Sequence, residues 1–92
     1  MEEKVFRKGD SCKLSDLRVG QSGELISFDN DNKALRRRLL DMGLTKGVVI
    51  EINMISPLGD PVSINLRGYQ LCMRKDDMSQ IVVKVVNEGS AE

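Results

Sequence analysis

The chain has 92 residues, of which 14 are basic, 14 acidic and none histidine, and 40% are hydrophobic. That length allows one domain with an unstapled core, and zero net charge removes the global attraction to phosphate on which most non-specific nucleic-acid binders depend. Lack of histidine excludes a Ser-His or Cys-His nucleophile pair within the chain and removes the commonest transition-metal ligand, and no apolar run approaches the roughly 20 residues of a membrane-spanning helix.

Residues 1–10 are polar and read as a flexible start. The charged opening Met1-Glu2-Glu3-Lys4 has no apolar stretch behind it, so the expected location is cytoplasmic. The folded domain is expected over residues 11–86. Leu14-Ser15-Asp16-Leu17 suggests a helical turn with both leucines inward, and Gly20 and Gly23 bracket a turn before a first strand, Glu24 to Phe28. Asp29 to Asn32 is a run of hydrogen-bond acceptors suited to capping a helix. The helix is predicted from about Lys33 to Met42, with Leu35, Leu39 and Met42 as its buried stripe. Gly43 sits where a left-handed residue would end it, so that Leu44 folds back onto Leu39.

From Val48 the period changes from 3.6 to 2. Val48, Ile50, Ile52 and Met54 share one face, with Glu51 and Asn53 on the other. Pro57 to Pro61 breaks this strand. The next strand turns Val62, Ile64 and Leu66 inward. A two-residue turn at Gly68-Tyr69 leads to a third strand with Leu71 and Met73 inward. These turns set Leu66 opposite Leu71, Ile64 opposite Met73, Met54 opposite Ile64 and Ile52 opposite Leu66, core to core throughout. Asp76 is the expected cap of a helical turn, and Ile81, Val83 and Val85 form the inner face of the last strand. Residues 87–92 read as a flexible tail. The fold class is all-β, mostly β with one short helix, and five short strands in so few residues suggest a small closed barrel without exposed edges.

No catalytic constellation emerges, and the chain reads as a non-enzyme. Gly43 and Lys46-Gly47 do not supply a phosphate loop. Asp29 with Asp31, or Asp76 with Asp77, are acidic enough for a hard cation, but their places at helix starts favour capping. Cys12 and Cys72 fit no zinc spacing. A disulfide is disfavoured in the cytosol, and both cysteines read as small packed thiols, Cys12 preceding the structured region. Arg36, Arg37 and Arg38 spread over a helical arc of about 200°, with Arg37 placed to pair with Asp41 at i+4. They read as solvated surface or as contacts to an acidic partner; nucleic acid is disfavoured because stacking aromatics are lacking. Leu58 is apolar at the tip of the double-proline loop. It either folds over the barrel end or projects into a partner's groove, which a pre-ordered loop does at low entropic cost.

Arg38-Leu39-Leu40-Asp41-Met42-Gly43-Leu44, then Lys46-Gly47, Pro57-Leu58-Gly59-Asp60-Pro61, Arg67-Gly68 and Leu71-Cys72-Met73-Arg74-Lys75 resemble the ferrous iron transport protein A (FeoA) family, as do Leu14-Ser15-Asp16-Leu17 and Gly20. The resemblance runs from about Leu14 to Val85. It implies an SH3-like β-barrel in the bacterial cytosol that binds the membrane ferrous-iron transporter through that protein's cytoplasmic GTPase part and modulates uptake. The partner-binding candidates are Leu58, Gly59, Asp60, Arg36, Arg37 and Asp41. The alternative is a transition-metal-responsive SH3-like domain related to the C-terminal modules of iron-dependent repressors. No cofactor is expected; weak Fe²⁺ or Zn²⁺ binding stays open, weakened by the lack of His and of paired Cys. No direct membrane insertion is expected, and the oligomeric state is undetermined by the sequence.

Overall fold

The computed structural model describes residues 6–29 and 31–87; the expected tail beyond 87, and the first five residues of the expected flexible start, lie outside them. Six strands and two helices follow in order: β1 (Ser11–Lys13), a 3₁₀ turn (Leu14–Asp16), β2 (Ser22–Phe28), α1 (Lys33–Asp41), β3 (Val49–Ile55), β4 (Val62–Leu66), β5 (Tyr69–Met73), α2 (Lys75–Met78) and β6 (Ile81–Val85). All pair antiparallel in one sheet of order β1-β6-β2-β3-β4-β5.

The sheet is not closed, contrary to the expected seamless barrel. β1 and β5 each have one neighbour. Both edge strands run directly into helical segments, the 3₁₀ turn and α2, and these pack on one another where a closing ladder would lie. Leu14, Leu17 and Met78 fill that end of the core, all buried as the inward leucines were expected to be. The strand β1 was also unforeseen. It places Cys12 opposite Val83, so this thiol belongs to the core and not to a segment before it. The Gly9 N–H donates to the Val85 carbonyl, and the Val85 N–H to the Asp10 carbonyl, extending that ladder backwards.

Gly23 is not part of a turn. It lies buried within β2, where a Cβ would fall 2.7 Å from Val83 Cγ2. A glycine here allows β2 and the β-branched Val83 to approach closely. The turn is upstream, at Val19-Gly20, where Gly20 has a φ of +91°.

Helix α1 begins at Asn32, whose Oδ1 accepts from the Leu35 N–H at 3.0 Å. Its end has the expected geometry. Gly43 takes a φ of +97°, the Leu44 N–H reaches the Leu39 carbonyl, and the Gly43 N–H reaches the Leu40 carbonyl. These are the two bonds of a Schellman ending. Leu39 and Leu44 are buried; Leu35 and Met42 are half-buried against the core. The Tyr69 hydroxyl donates to the Met42 carbonyl at 2.7 Å, tying the helix end to β5.

The meander keeps its faces but not its expected registers. The turn is Arg67-Gly68, with φ values of +51° and +86°, and it sets Leu66 opposite Tyr69 and Ile64 opposite Leu71. Positive φ at both central residues is the type I′ hairpin, in which glycine takes the second place. In β3, Ile50 pairs with Leu66 and Ile52 with Ile64 before a bulge shifts the register by Met54, which pairs with Ser63. The bulge reverses the alternation. Met54 is therefore 60% exposed instead of inward, while Val48, Ile50, Ile52, Val62, Ile64, Leu66 and Met73 are buried as expected.

Candidate functional site

The double-proline loop between β3 and β4 is closed by two backbone bonds. The Gly59 N–H donates to the Ser56 carbonyl at 2.7 Å, and the Ser56 N–H to the Pro61 carbonyl at 3.3 Å. Gly59 supplies the φ of +91° that the tight turn needs. Of the two conformations open to Leu58, the structure selects the projecting one: its residue is 95% exposed. Asp60 has a structural duty of its own. Its Oδ1 accepts from the Lys75 N–H at 2.7 Å, so the loop caps α2, the role expected of Asp76.

α2 also reaches α1, through Arg38 and Asp77 at 3.3 Å. The three arginines of α1 diverge as their helical spacing requires. Arg36 is half-buried, with its guanidinium carbon 6.0 Å from the centre of the Phe28 ring. Arg37 is exposed, and no ion pair joins it to Asp41 among the described residues. Asp41 is the last residue of α1, exposed beside the Met42 carbonyl that Tyr69 binds. Leu58, Gly59 and Asp60 thus stand together, while Arg36, Arg37 and Asp41 lie along a helix linked to them through α2. The six candidates do not form one cluster.

Sequence reasoning missed several surface features. Val49, Met54 and Tyr69 are exposed apolar groups on the meander. A concavity of about 700 Å³ lies along it, lined by Val49, Glu51, Asn65, Arg67 and Gln70 among others. Two of its polar pairs are made locally: Asn65 Nδ2 donates to Glu51 Oε1 at 3.1 Å, and Arg67 Nη2 to Thr45 Oγ1 at 2.9 Å. The Arg-Gly dipeptide was the available signal for the true turn and for the place of Tyr69.

The two thiols differ. Cys72 is exposed on β5, contrary to its expected packing, because its side faces away from Leu71 and Met73 with no second layer above it. Cys12 is buried, and burial, with smaller contributions from Asp16 and Asp10, pushes its thiol from 9.0 up to about 11. Among the described residues no three His, Cys, Asp or Glu side chains gather closely enough to hold a metal ion. No helix there is long and apolar enough to cross a membrane. What the geometry offers is a presented loop tip, a helix with diverging charges and an open sheet edge.

Comparison with known proteins gives these features a setting. The FeoA domain model matches residues 12–85. A curated relative, the Fe(2+) transport protein A/Fe(2+) transporter FeoB fusion protein of Porphyromonas gingivalis, is 27% identical over 78 residues, which are 85% of this chain and 9% of that protein. The chain therefore spans less than a tenth of that relative. The solution structure of FeoA from Chlorobium tepidum is 35% identical, with 87% of this chain and 75% of that one covered and a TM-score of 0.74. The zinc complex of Stenotrophomonas maltophilia FeoA, described as a procaryotic SH3 domain protein, shares the fold at 23% identity, with 84% and 98% covered and a TM-score of 0.70. The fold is thus SH3-like, in an open form.

Proposed function

Because the chain belongs to the FeoA domain family, we propose that it is a non-catalytic accessory protein of ferrous iron uptake that works in the cytoplasm by binding the cytoplasmic GTPase part of the membrane ferrous-iron transporter. The observation that carries this reading is the join in the P. gingivalis relative, where the two names belong to one polypeptide. A module that functions when tethered to a transporter works within contact distance of it, since a tether raises the local concentration of each part at the other.

The exposed loop tip supports this reading. Leu58 is held out by a loop closed at its base and braced on α2, so little freedom is lost on docking. Burying such a side chain contributes about 1.5–3 kcal/mol, or roughly a tenfold to hundredfold gain in affinity. Arg37 on α1 offers a charge outside any ion pair among the described residues.

The test is binding of this chain to the purified soluble part of the transporter, followed by calorimetry. Leu58→Asp is expected to weaken binding at least about tenfold and Arg37→Glu to weaken it less. Unchanged affinity in both variants, or no binding by the native chain, overturns the reading.

A further inference from the structure

The two edges of the open sheet are built differently. β1 has three residues and runs at once into the 3₁₀ turn. Its last N–H, on Lys13, is taken by Asp16 Oδ2 at 3.2 Å, and the Lys13 side chain pairs with Asp29 at 2.9 Å. Shortness and charge are the usual devices that blunt an edge against pairing. β5 has none of them. Its five residues, Tyr69-Gln70-Leu71-Cys72-Met73, include no charge and no proline, and its ladder with β4 is unbroken from Tyr69 to Met73.

The hairpin geometry identifies the groups that face outwards. Across a two-residue turn the flanking pair, Leu66 and Tyr69, exchanges both hydrogen bonds, and bonded and non-bonded pairs then alternate. Leu71 and Met73 are thus bonded to β4, while the N–H and C=O of Gln70 and Cys72 point away from the sheet. Gln70 and Cys72 are exposed, and their backbone groups take no partner among the described residues. Leu71 faces the core side yet is only half-buried, because no strand lies beyond it.

We propose that β5 is a strand-addition site: an extended segment of the transporter's cytoplasmic part pairs with the Gln70 and Cys72 backbone, sets an apolar residue opposite Leu71, and carries carboxylates at its flanks. The flanking charge follows from the ends of β5, where Arg67 precedes it and Arg74 and Lys75 follow it, all three exposed and outside any ion pair among the described residues. Asp60, which accepts from the Lys75 N–H, and the exposed Asp76 offset part of the charge at the Arg74 end, so the stronger attraction for a carboxylate lies at the Arg67 end. The same cations disfavour a second copy, because antiparallel self-pairing centred on Leu71 sets Arg67 against Lys75 at both ends. Backbone pairing supplies affinity and the side chains supply selectivity in this mode of recognition.

This inference rests on the transporter reading, and its test separates the two. Backbone amide exchange of the full chain is followed residue by residue, alone and with the purified soluble part of the transporter. In the complex the Gln70 and Cys72 amides are expected to slow at least about tenfold, with β1 unchanged. Cys72→Pro removes an outward donor without touching the β4 ladder and is expected to weaken binding about tenfold or more. Retained slow exchange of Ile64 and Leu71 in that variant shows that it is folded; if it is not, the native exchange result alone decides. Binding with unprotected Gln70 and Cys72 overturns the edge site and leaves the reading intact. No binding overturns both. Protection that rises with the chain's own concentration, without the transporter part, assigns the edge to a second copy and overturns the partner named here.

Discussion

Replacing Gly23 by alanine sets two effects of known size against each other. Gly23 lies inside β2 without a positive φ, so a strand conformation open to any residue is already in place. On that ground alone alanine is favoured by about 0.5–1 kcal/mol, because it has less freedom to lose on folding. The added methyl, however, would fall 2.7 Å from Val83 Cγ2, 2.8 Å from Val83 Cβ and 3.3 Å from Leu17 Cδ1. Carbon atoms pack best at about 3.5–4.0 Å. Val83 is fully buried, on a strand held between β1 and β2, and its branched side chain has few alternatives. Overpacking of this kind costs about 1–3 kcal/mol. The steric effect wins, and Gly23→Ala is expected to destabilise by about 1–2 kcal/mol, a fall in Tm of about 4–16 °C for a domain of this size. The assay is urea denaturation of four proteins: native, Gly23→Ala, Val83→Ala and the double variant. Val83→Ala removes the 2.7 Å contact with Cγ2 and gives the neighbouring strand room to give way, though the Cβ at 2.8 Å remains, so Gly23→Ala should cost clearly less in that background, a coupling of about 1 kcal/mol. An equal cost in both backgrounds, or an unchanged midpoint in the native one, refutes the close-approach argument.

Gly43→Ala should cost about 2–3 kcal/mol: a left-handed φ of +97° disfavours alanine by about 1–2 kcal/mol, and its Cβ, 2.5 Å from the Tyr69 hydroxyl, would displace the bond to Met42. Thermal denaturation should show a smaller penalty for it in a Tyr69→Phe background. Asp60→Ala removes the acceptor of the Lys75 N–H and should lower stability by about 0.5–2 kcal/mol, measured by calorimetric melting, whereas Asp76→Ala should leave that cap intact. In the native protein Cys72 should react with a thiol reagent at once and Cys12 only as the chain opens. Alkaline pH tests the same burial. The folded Cys12 thiol keeps its proton to about 11 where the unfolded one loses it near 9.0, so the folded state binds more protons between those values. Stability is therefore intact below pH 9 and falls as pH rises towards 11, by on the order of 2 kcal/mol. The readout is the difference in that slope between native and Cys12→Ala protein in urea denaturation.

The core faces were legible because a two-fold period tolerates even errors. Placing the hairpin turn at Gly68-Tyr69 instead of Arg67-Gly68 moved every β4–β5 pair by two residues, and a shift of two returns each side chain to the same face. Met73, Ile64 and Leu66 were accordingly assigned to the right side through a wrong register. An odd shift has no such protection. The β3 bulge before Met54 adds one residue, and Met54 went to solvent. Bulges leave little trace in alternation, since the apolar residue that follows one reads as a continuation of the face. Gly23 was misread for a related reason: a glycine needed for a turn and a glycine needed for close approach are the same letter, and only the neighbour, Val83, distinguishes them.

For the candidate site, local chemistry was legible and assembly was not. The double-proline loop announced a presented tip, yet nothing in it told whether Leu58 would fold back, because that depends on what lies under the tip in space. The cap of α2 was sought in Asp76, next in sequence, and came from Asp60, next in space. Edge closure is the largest such case. Whether six strands close into a barrel is set by tilt and stagger, to which side-chain alternation is blind, so five strands of sound pattern were compatible with a seamless cylinder. The structure instead leaves β1 blunted by Lys13 and Asp16 and β5 bare. The defence β5 has lies only at its ends, in Arg67, Arg74 and Lys75, and at five residues it is as long as the strand it pairs with, so its uncharged middle is left for a partner that those cations do not repel.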